Sequence, residues 1–166
     1  MRNEFVIRAW KGWVLALFLA GGMVSSAAAT QRQGPPPPQE LLGLGIVAGD
    51  PEGWGITGKL WLDHEVALQP ALKLGWNGNG AFQCDILWHN YKMIPSDLDC
   101  WPLYIGLGGV VDSLGPAWGL RAVGGLDYLL RDISGDVYAQ LVPTGWLSGA
   151  GFSVELYGEV GFRFYL

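Results

Sequence analysis

The sequence predicts an all-β fold, an eight-stranded antiparallel up-and-down transmembrane β-barrel. The 166-residue chain is 50% hydrophobic and 15% charged, with 26 glycines, and its apolar residues alternate with other types in short runs bounded by turn residues. The face opposite these apolar residues carries mainly glycine, tyrosine and alanine with isolated charges, whereas a solvated face normally carries many polar side chains. These patterns favour a closed barrel with lipid outside and the polar face inside.

The first 29 residues are predicted to be a signal peptide. Arg2, Arg8 and Lys11 precede the short apolar segment VLALFLAGGMV, and Ala27 and Ala29 have the small-x-small spacing of a cleavage site. This segment is shorter than the about 20 residues that a transmembrane helix needs. A retained amphipathic segment or membrane anchor is the alternative interpretation.

Residues 30–41, TQRQGPPPPQEL, are predicted to form an extended proline-rich periplasmic linker, and residues 42–166 to form the barrel. Cleavage after residue 29 removes three basic residues and one acidic residue, which changes the net charge from −5 to −7. An acidic chain is a poor ligand for nucleic acid, so no nucleic-acid partner is expected.

Eight runs carry the alternating pattern of half-buried strands. They are 41–49, 56–62, 66–76, 81–91, 102–112, 118–130, 136–142 and 152–166. The segments between them are rich in turn residues, in order DPEGWG, DHE, NGNG, IPSDLDCW, SLGPA, RDISG and PTGWLSGAG. An even number of strands fits the closure of an antiparallel barrel.

The inward face of these runs carries a nearly balanced set of charges, which predicts a cross-linked barrel interior rather than a water-filled channel. The predicted interior network, with a structural role, comprises Lys59, Lys73, Asp85, His89, Arg121, Asp127, Glu155, Glu159 and Arg163. His89 is expected to form hydrogen bonds with Asp85 and Tyr91 on the same face.

Aromatic residues near the run ends predict two interfacial girdles. The outer girdle is expected to contain Trp54, Trp76, Trp118, Trp146 and Phe152, and the inner girdle Trp101, Tyr128 and Phe164. The alternative is that these aromatics fill the core of a soluble β-sandwich.

Both cysteines are expected to lie in an oxidising compartment after export. Cys84 is predicted on the lipid face of the fourth run and Cys100 beyond the other end of that run. At 3.3 Å per residue they should be more than about 15 Å apart, so no disulfide is predicted.

The final run has the form of a closing strand in a small outer-membrane barrel. Phe162 and Phe164 fall in phase, although the last residue is Leu166 where such barrels end in an aromatic residue. Residues 42–166 resemble the eight-stranded OmpA/OmpX-type barrels. Four segments are also similar to a family of outer-membrane barrels with no assigned activity: LGLGIVAGDPEGWGITGKLWL, DILWHNY, LYIGLGG and GEVGFRFYL. The resemblance implies insertion by the barrel-assembly machinery through the C-terminal strand.

The sequence offers no convincing catalytic site. No serine shares a strand face with a histidine at i, i+2 spacing, and Asp63, His64 and Glu65 lie in successive positions that would point in different directions. We therefore expect no cofactor and no metal site. The expected function is that of a monomeric protein of the cell outer membrane with a structural or surface-interaction role, and outer-membrane lipids as partners. The alternatives are a lipid A-modifying barrel enzyme and a soluble periplasmic lipocalin-like binding protein.

Overall fold

The computed structural model describes residues 41–50, 53–75, 78–91, 101–112, 117–130, 133–149 and 151–166. The predicted signal peptide, the predicted linker up to residue 40, and Cys100 lie outside the described residues. The strands are β1 (Leu42–Asp50), β2 (Gly53–Trp61), β3 (Val66–Leu74), β4 (Gly80–Asn90), β5 (Leu103–Asp112), β6 (Trp118–Leu130), β7 (Gly135–Ser148) and β8 (Gly151–Tyr165). Within the described residues, no helix is both long and apolar enough to cross a membrane.

Each strand pairs with the next in antiparallel fashion, and β8 pairs with β1 to close the barrel. The predicted all-β, eight-stranded, up-and-down antiparallel barrel is therefore confirmed. Following the residue pairs once around the barrel from Arg163 leads back to β8 at Ser153, ten positions earlier. With the usual strand spacing and rise per residue, this stagger tilts the strands by about 40° from the barrel axis.

Strand β7 is longer than the run 136–142 predicted for it. It continues through Pro143 to Ser148, so the turn before β8 is much shorter than predicted. The pairing with β6 is interrupted beside Pro143, while the pairing with β8 continues through Pro143 and Leu156. The strand persists because a proline lacks only its own N–H, which would have pointed toward β6.

The two faces of the sheet differ in the way that the alternation predicts. Most inward positions are buried, and three inward tyrosines each lie over a glycine of the neighbouring strand: Tyr165 over Gly43, Tyr104 over Gly125 and Tyr138 over Gly161. A Cβ atom on Gly43 would lie 2.9 Å from Cε1 of Tyr165. These glycines therefore provide the space in which the tyrosine rings lie flat against the barrel wall.

Candidate functional site: the charged barrel interior

Most charged side chains in the strands point into the barrel, where they form two groups. The terminal cluster lies near the strand ends beside the chain's C-terminus and consists of Lys59, His89, Asp127, Asp136 and Arg163. The central cluster lies further along the barrel and consists of Lys73, Asp85, Arg121 and Glu159. Their side chains are at most 1% exposed, so they fill the bore at both levels.

In the terminal cluster, both carboxylates are fully engaged. Arg163 Nε lies 2.8 Å from Asp136 Oδ1, and Arg163 Nη2 lies 3.2 Å from Asp127 Oδ1. The second oxygen of Asp127 accepts from Lys59, and the second oxygen of Asp136 accepts from the Tyr165 hydroxyl. Each of the four carboxylate oxygens thus has a charged or hydroxyl donor, which is the arrangement that offsets the cost of burying charge.

Aromatic rings enclose the cations of the terminal cluster. The Lys59 ammonium lies 4.5 Å from the centre of the Trp61 ring, and the Arg163 guanidinium carbon lies 4.0 Å from the centre of the Tyr138 ring. The His89 ring centre is 4.5 Å from that of Trp61. Cation–π contacts of this kind are strengthened when water is excluded, so the rings stabilise the buried charges as well as filling space.

The central cluster is organised around one carboxylate. Glu159 Oε1 lies 2.7 Å from Lys73 Nζ and 2.8 Å from Arg121 Nη2. Arg121 also places its Nε 3.1 Å from Asp85 Oδ1. Asp85 Oδ2 and both amide atoms of the neighbouring Gln83 are buried without a hydrogen-bond partner among the described residues. The carboxylates of this cluster are therefore less completely hydrogen-bonded than those of the terminal cluster, where, in the described part of the chain, the buried polar atoms without a hydrogen-bond partner are His89 Nε2 and, beside it, Trp61 Nε1 and Tyr138 OH.

Two glutamines connect the clusters through hydrogen bonds. Gln140 Nε2 donates to Glu159 Oε2 at 2.8 Å, and Gln140 Oε1 accepts from Gln69 Nε2 at 3.3 Å and from Tyr104 OH at 2.8 Å. Arg163 Nη1 then donates to Gln69 Oε1 at 2.6 Å. A continuous chain of hydrogen bonds therefore runs from Glu159 to Arg163 along the barrel interior.

The structure brings together eight of the nine charges predicted for the interior: Lys59, Lys73, Asp85, His89, Arg121, Asp127, Glu159 and Arg163 are all buried. Glu155 is not part of this group. Its position has inward parity, but it lies in the part of β8 that extends beyond β1 and is exposed. The prediction fails for Glu155 because alternation defines a face and does not define where the barrel wall ends.

The expected partners of His89 also need correction. His89 Nε2 lies 3.2 Å from Asp127 Oδ2, across the barrel, and Nδ1 lies 3.2 Å from the Glu65 carbonyl oxygen. Asp85 on the same strand instead pairs with Arg121. Side chains on one strand face that are four positions apart lie too far from each other for a hydrogen bond, so cross-strand neighbours decide the contacts.

Sequence reasoning missed several interior groups. Asp136 is fully buried and contacts Arg163, yet it stands at the start of its run and is absent from the predicted network. Gln69 and Gln140 were visible on inward faces, but their linking role depends on contacts across the bore. The parity of Asp136 with Tyr138 and Gln140 was the signal that could have identified it.

The predicted aromatic girdles are described in part. Trp54, Trp118 and Phe152 have outward, exposed side chains, as do Trp101 and Phe164. Trp76 lies outside the described residues. Trp146 instead has inward parity, which it shares with Tyr138 and Gln140 on β7. Its Nε1 donates to the Tyr157 hydroxyl at 2.7 Å, and its ring packs against the inner apolar cluster.

The arrangement as a whole is suited to holding strands together. The ion pairs join β2 to β6 and β7, β3 to β8, β4 to β6, and β6 and β7 to β8. Among the described residues, no group of three or more His, Cys, Asp or Glu side chains has an arrangement that could hold a metal ion.

No family model, no curated protein and no solved structure matches the chain.

Proposed function

We propose that the chain is an integral β-barrel of the cell outer membrane, with a structural or surface-interaction role. One observation carries this proposal: the polarity of the molecule is reversed relative to a soluble barrel. The buried side chains include Lys59, Asp127 and Arg163, whereas Ile105, Leu107 and many other large apolar side chains are more than half exposed. An exposed apolar surface that encircles a barrel is expected of a protein whose surroundings are apolar, and it supports the membrane location.

The strand lengths are compatible with this location. The strands have 9 to 15 residues, and a membrane-crossing strand tilted by about 45° needs about 9–11. On β5, the outward residues run from Leu103 to Val111, which corresponds to about 20 Å along the barrel axis at a tilt of about 40°. A band of this height approaches the apolar band of about 25 Å found on outer-membrane barrels.

The filled interior favours a structural role over transport. The two clusters and their glutamine link occupy the bore with side chains that are almost fully buried. An eight-stranded barrel has an interior just wide enough for its own side chains. Reconstitution into planar bilayers should therefore give no steady conductance, and a stable ion current from the purified full-length protein would contradict this part of the proposal.

Fractionation and gel mobility test the location. The protein should remain with the outer membrane after alkaline carbonate washing, and it should migrate differently on a gel before and after boiling, since a closed barrel resists the detergent until heated. Recovery in the soluble periplasmic fraction without detergent would overturn the proposal in favour of a soluble binding protein. A change in the lipid A profile when the gene is deleted, restored by the wild-type gene, would instead favour an enzyme.

A matched pair of charge substitutions tests the lipid contact directly. Val160→Arg places a cation at mid-height of the outer face, while Leu62→Arg places it in the exposed turn after β2. In lipid vesicles, Val160→Arg should lower the free energy of unfolding by about 2–4 kcal/mol and Leu62→Arg by about 0–1 kcal/mol. Two equally small effects are expected of a water-exposed surface and would argue against the membrane location.

A further inference from the structure

The hairpin formed by β7 and β8 has a strand edge that no described strand covers. The pairing of β8 with β1 ends at Gly158 and Asp50. From Gly151 to Tyr157, β8 pairs with β7 on one side only, among the described residues. At about 3.3 Å per residue, this uncovered edge is about 23 Å long.

The direction of the backbone groups along this edge follows from the hydrogen bonds near the chain end. The Tyr165 N–H donates to the carbonyl oxygen of Ser134, just before β7, whereas the Leu166 N–H donates to the carbonyl oxygen of Leu42 in β1. Because successive residues of a strand point their backbone groups to opposite sides, the N–H and C=O groups of Phe152, Val154 and Leu156 point away from β7. Among the described residues, no strand pairs with Phe152 or Val154 on that side, and exposed backbone groups of this kind are a template for another strand.

The side chains beside this edge differ between the two faces of the hairpin. Phe152 is 68% exposed and Val154 is 66% exposed on the outward, apolar face. On the opposite face, Ser153 and Glu155 are also exposed. An extended segment that added to this edge would therefore meet an apolar surface on one face and a carboxylate on the other.

Glu155 is held in place by a short relay of hydrogen bonds. Trp146 Nε1 donates to the Tyr157 hydroxyl at 2.7 Å, and the Tyr157 hydroxyl donates to the Glu155 carboxylate. An oriented carboxylate loses less side-chain entropy when it binds a cation, so it favours a basic group on an incoming segment.

We propose that the uncovered edge of β8 binds an extended segment of another protein by strand addition, and that this segment alternates apolar and basic residues. Its apolar side chains would cover Phe152 and Val154, and its lysines or arginines would pair with Glu155. The uncovered edge is a feature of the barrel alone and does not depend on a membrane. We expect the partner to lie outside the cell, and this expectation rests on the proposed function.

A second copy of the chain in the same membrane does not fit this edge. Copies inserted in the same direction are related by an axis along the membrane normal. Antiparallel pairing of two β8 edges requires a two-fold axis perpendicular to the barrel wall, and such an axis lies in the membrane plane. Parallel pairing requires a two-fold axis that runs along the strands, and the strands tilt by about 40° from the barrel axis. With a second copy excluded in this way, the proposed occupant is a segment of a different protein.

The test uses the full-length mature barrel in detergent micelles and a fluorescein-labelled peptide of Lys-Val repeats, with fluorescence anisotropy as the readout. The Lys-Val peptide should bind, and a peptide of Glu-Val repeats should not. Val154→Pro removes one edge-facing N–H without touching the pairing with β7, and it should weaken binding about tenfold. The matched control Val154→Thr keeps the N–H and should bind the Lys-Val peptide within about threefold of wild type.

Binding of the Lys-Val peptide that is unchanged in Val154→Pro would overturn the proposal, because it would come from general attraction to an acidic protein. Glu155→Gln provides a second variant that leaves the backbone intact, and it should weaken binding of the Lys-Val peptide and make it less dependent on salt. Dimerisation of the wild-type barrel that is lost in Val154→Pro would also overturn the proposal.

The mobility shift on heating, measured on the same samples, separates the two proposals. A barrel that needs no detergent but binds the Lys-Val peptide would contradict only the membrane location. A detergent-dependent, heat-modifiable barrel that ignores the peptide would contradict only the role of the edge.

Discussion

The terminal and central clusters contain similar numbers of charges but satisfy them differently. In the terminal cluster, all four oxygens of Asp127 and Asp136 have a donor. In the central cluster, Glu159 is contacted by Lys73 and Arg121, while Asp85 has a partner for one oxygen only. Burying a charge costs several kcal/mol unless its hydrogen bonds are complete, so the two clusters should differ in how strongly they depend on each member.

From this difference we expect the stability of the barrel to depend more on the terminal cluster than on the central cluster. Arg163 contacts two carboxylates, the Gln69 amide and the Tyr138 ring. Arg121, its counterpart in the central cluster, contacts Asp85 and Glu159, and Asp85 has one oxygen without a partner among the described residues.

Replacing Arg163 should have the largest effect. Arg163→Leu leaves Asp127 and Asp136 buried with less positive charge nearby, and it should lower the free energy of unfolding by about 3–5 kcal/mol. Urea titration of the barrel folded in vesicles, followed by gel mobility, measures the change. The matched variant Arg121→Leu removes the cation beside Asp85 and one of the two cations beside Glu159. It should cost less, because Arg163→Leu also removes the donor to Gln69 and the cation over the Tyr138 ring. Equal losses in the two variants would remove the distinction between the clusters.

Carboxylate-to-amide substitutions compare the clusters without changing side-chain volume. Asp136→Asn should cost about 2–3 kcal/mol, because both of its oxygens accept from strong donors. Asp85→Asn should cost about 1 kcal/mol or less, since one oxygen has no partner to lose. The same urea titration applies, and a larger loss for Asp85→Asn than for Asp136→Asn would reverse the ranking.

The glutamine link should couple the clusters modestly. Gln140→Leu leaves the Tyr104 hydroxyl and one Glu159 oxygen without their partner, which should cost about 1–2 kcal/mol. If the link carries coupling, the losses from Arg163→Leu and Arg121→Leu should be non-additive in the wild-type background and additive in the Gln140→Leu background. Additivity in both backgrounds would show that the clusters act independently.

Asp63 provides an exposed carboxylate for comparison with the buried ones. The backbone N–H groups of Glu65 and Val66 donate to its Oδ1 at 2.8 and 2.7 Å, and they hold the pKa of Asp63 below its ordinary value. Because the folded-state pKa is the lower one, the stabilisation is present above the ordinary aspartate pKa and is lost as the pH falls below about 4.

The variant Asp63→Asn keeps an acceptor oxygen at this turn but does not titrate. Its stability relative to wild type should therefore increase slightly as the pH falls from about 6 to about 3. Parallel urea titrations at several pH values measure this difference. A gap between the two proteins that stays constant over this range would mean that the Asp63 carboxylate does not stabilise the folded turn.

Alternation in the sequence is sufficient to predict that eight strands exist and which face most of their charges occupy. Once a run is recognised as a strand, parity assigns each side chain to one face, and this places Lys59, Arg121 and Arg163 inside. Parity does not say which interior charges meet. The contact between Arg163 and Asp136, for example, depends on the register between β7 and β8, in which these two residues are directly paired.

Most of the wrong predictions concern the hairpin of β7 and β8, where these strands extend beyond the rest of the barrel. The extension of β7 beyond Pro143 could not be predicted from a rule that treats proline as a strand breaker, since the outcome depends on which side the missing N–H faces. Glu155 and Trp146 were misplaced in the same hairpin. Sequence patterns describe faces well, but they contain little information about how far each strand rises above its neighbours.

The pairing of β1 with β8 has a consequence for the kinetics of folding. The other seven pairings join strands that follow one another in the chain, whereas this one joins the first strand to the last. Contacts between distant parts of a chain form late because closing a long loop costs entropy before any contact is gained. Lys59 of β2 reaches Asp127 and Asp136 of β6 and β7 only when the sheet has curled on itself. The terminal cluster should therefore assemble in the same late step that joins β1 to β8, and opening of this seam should initiate unfolding.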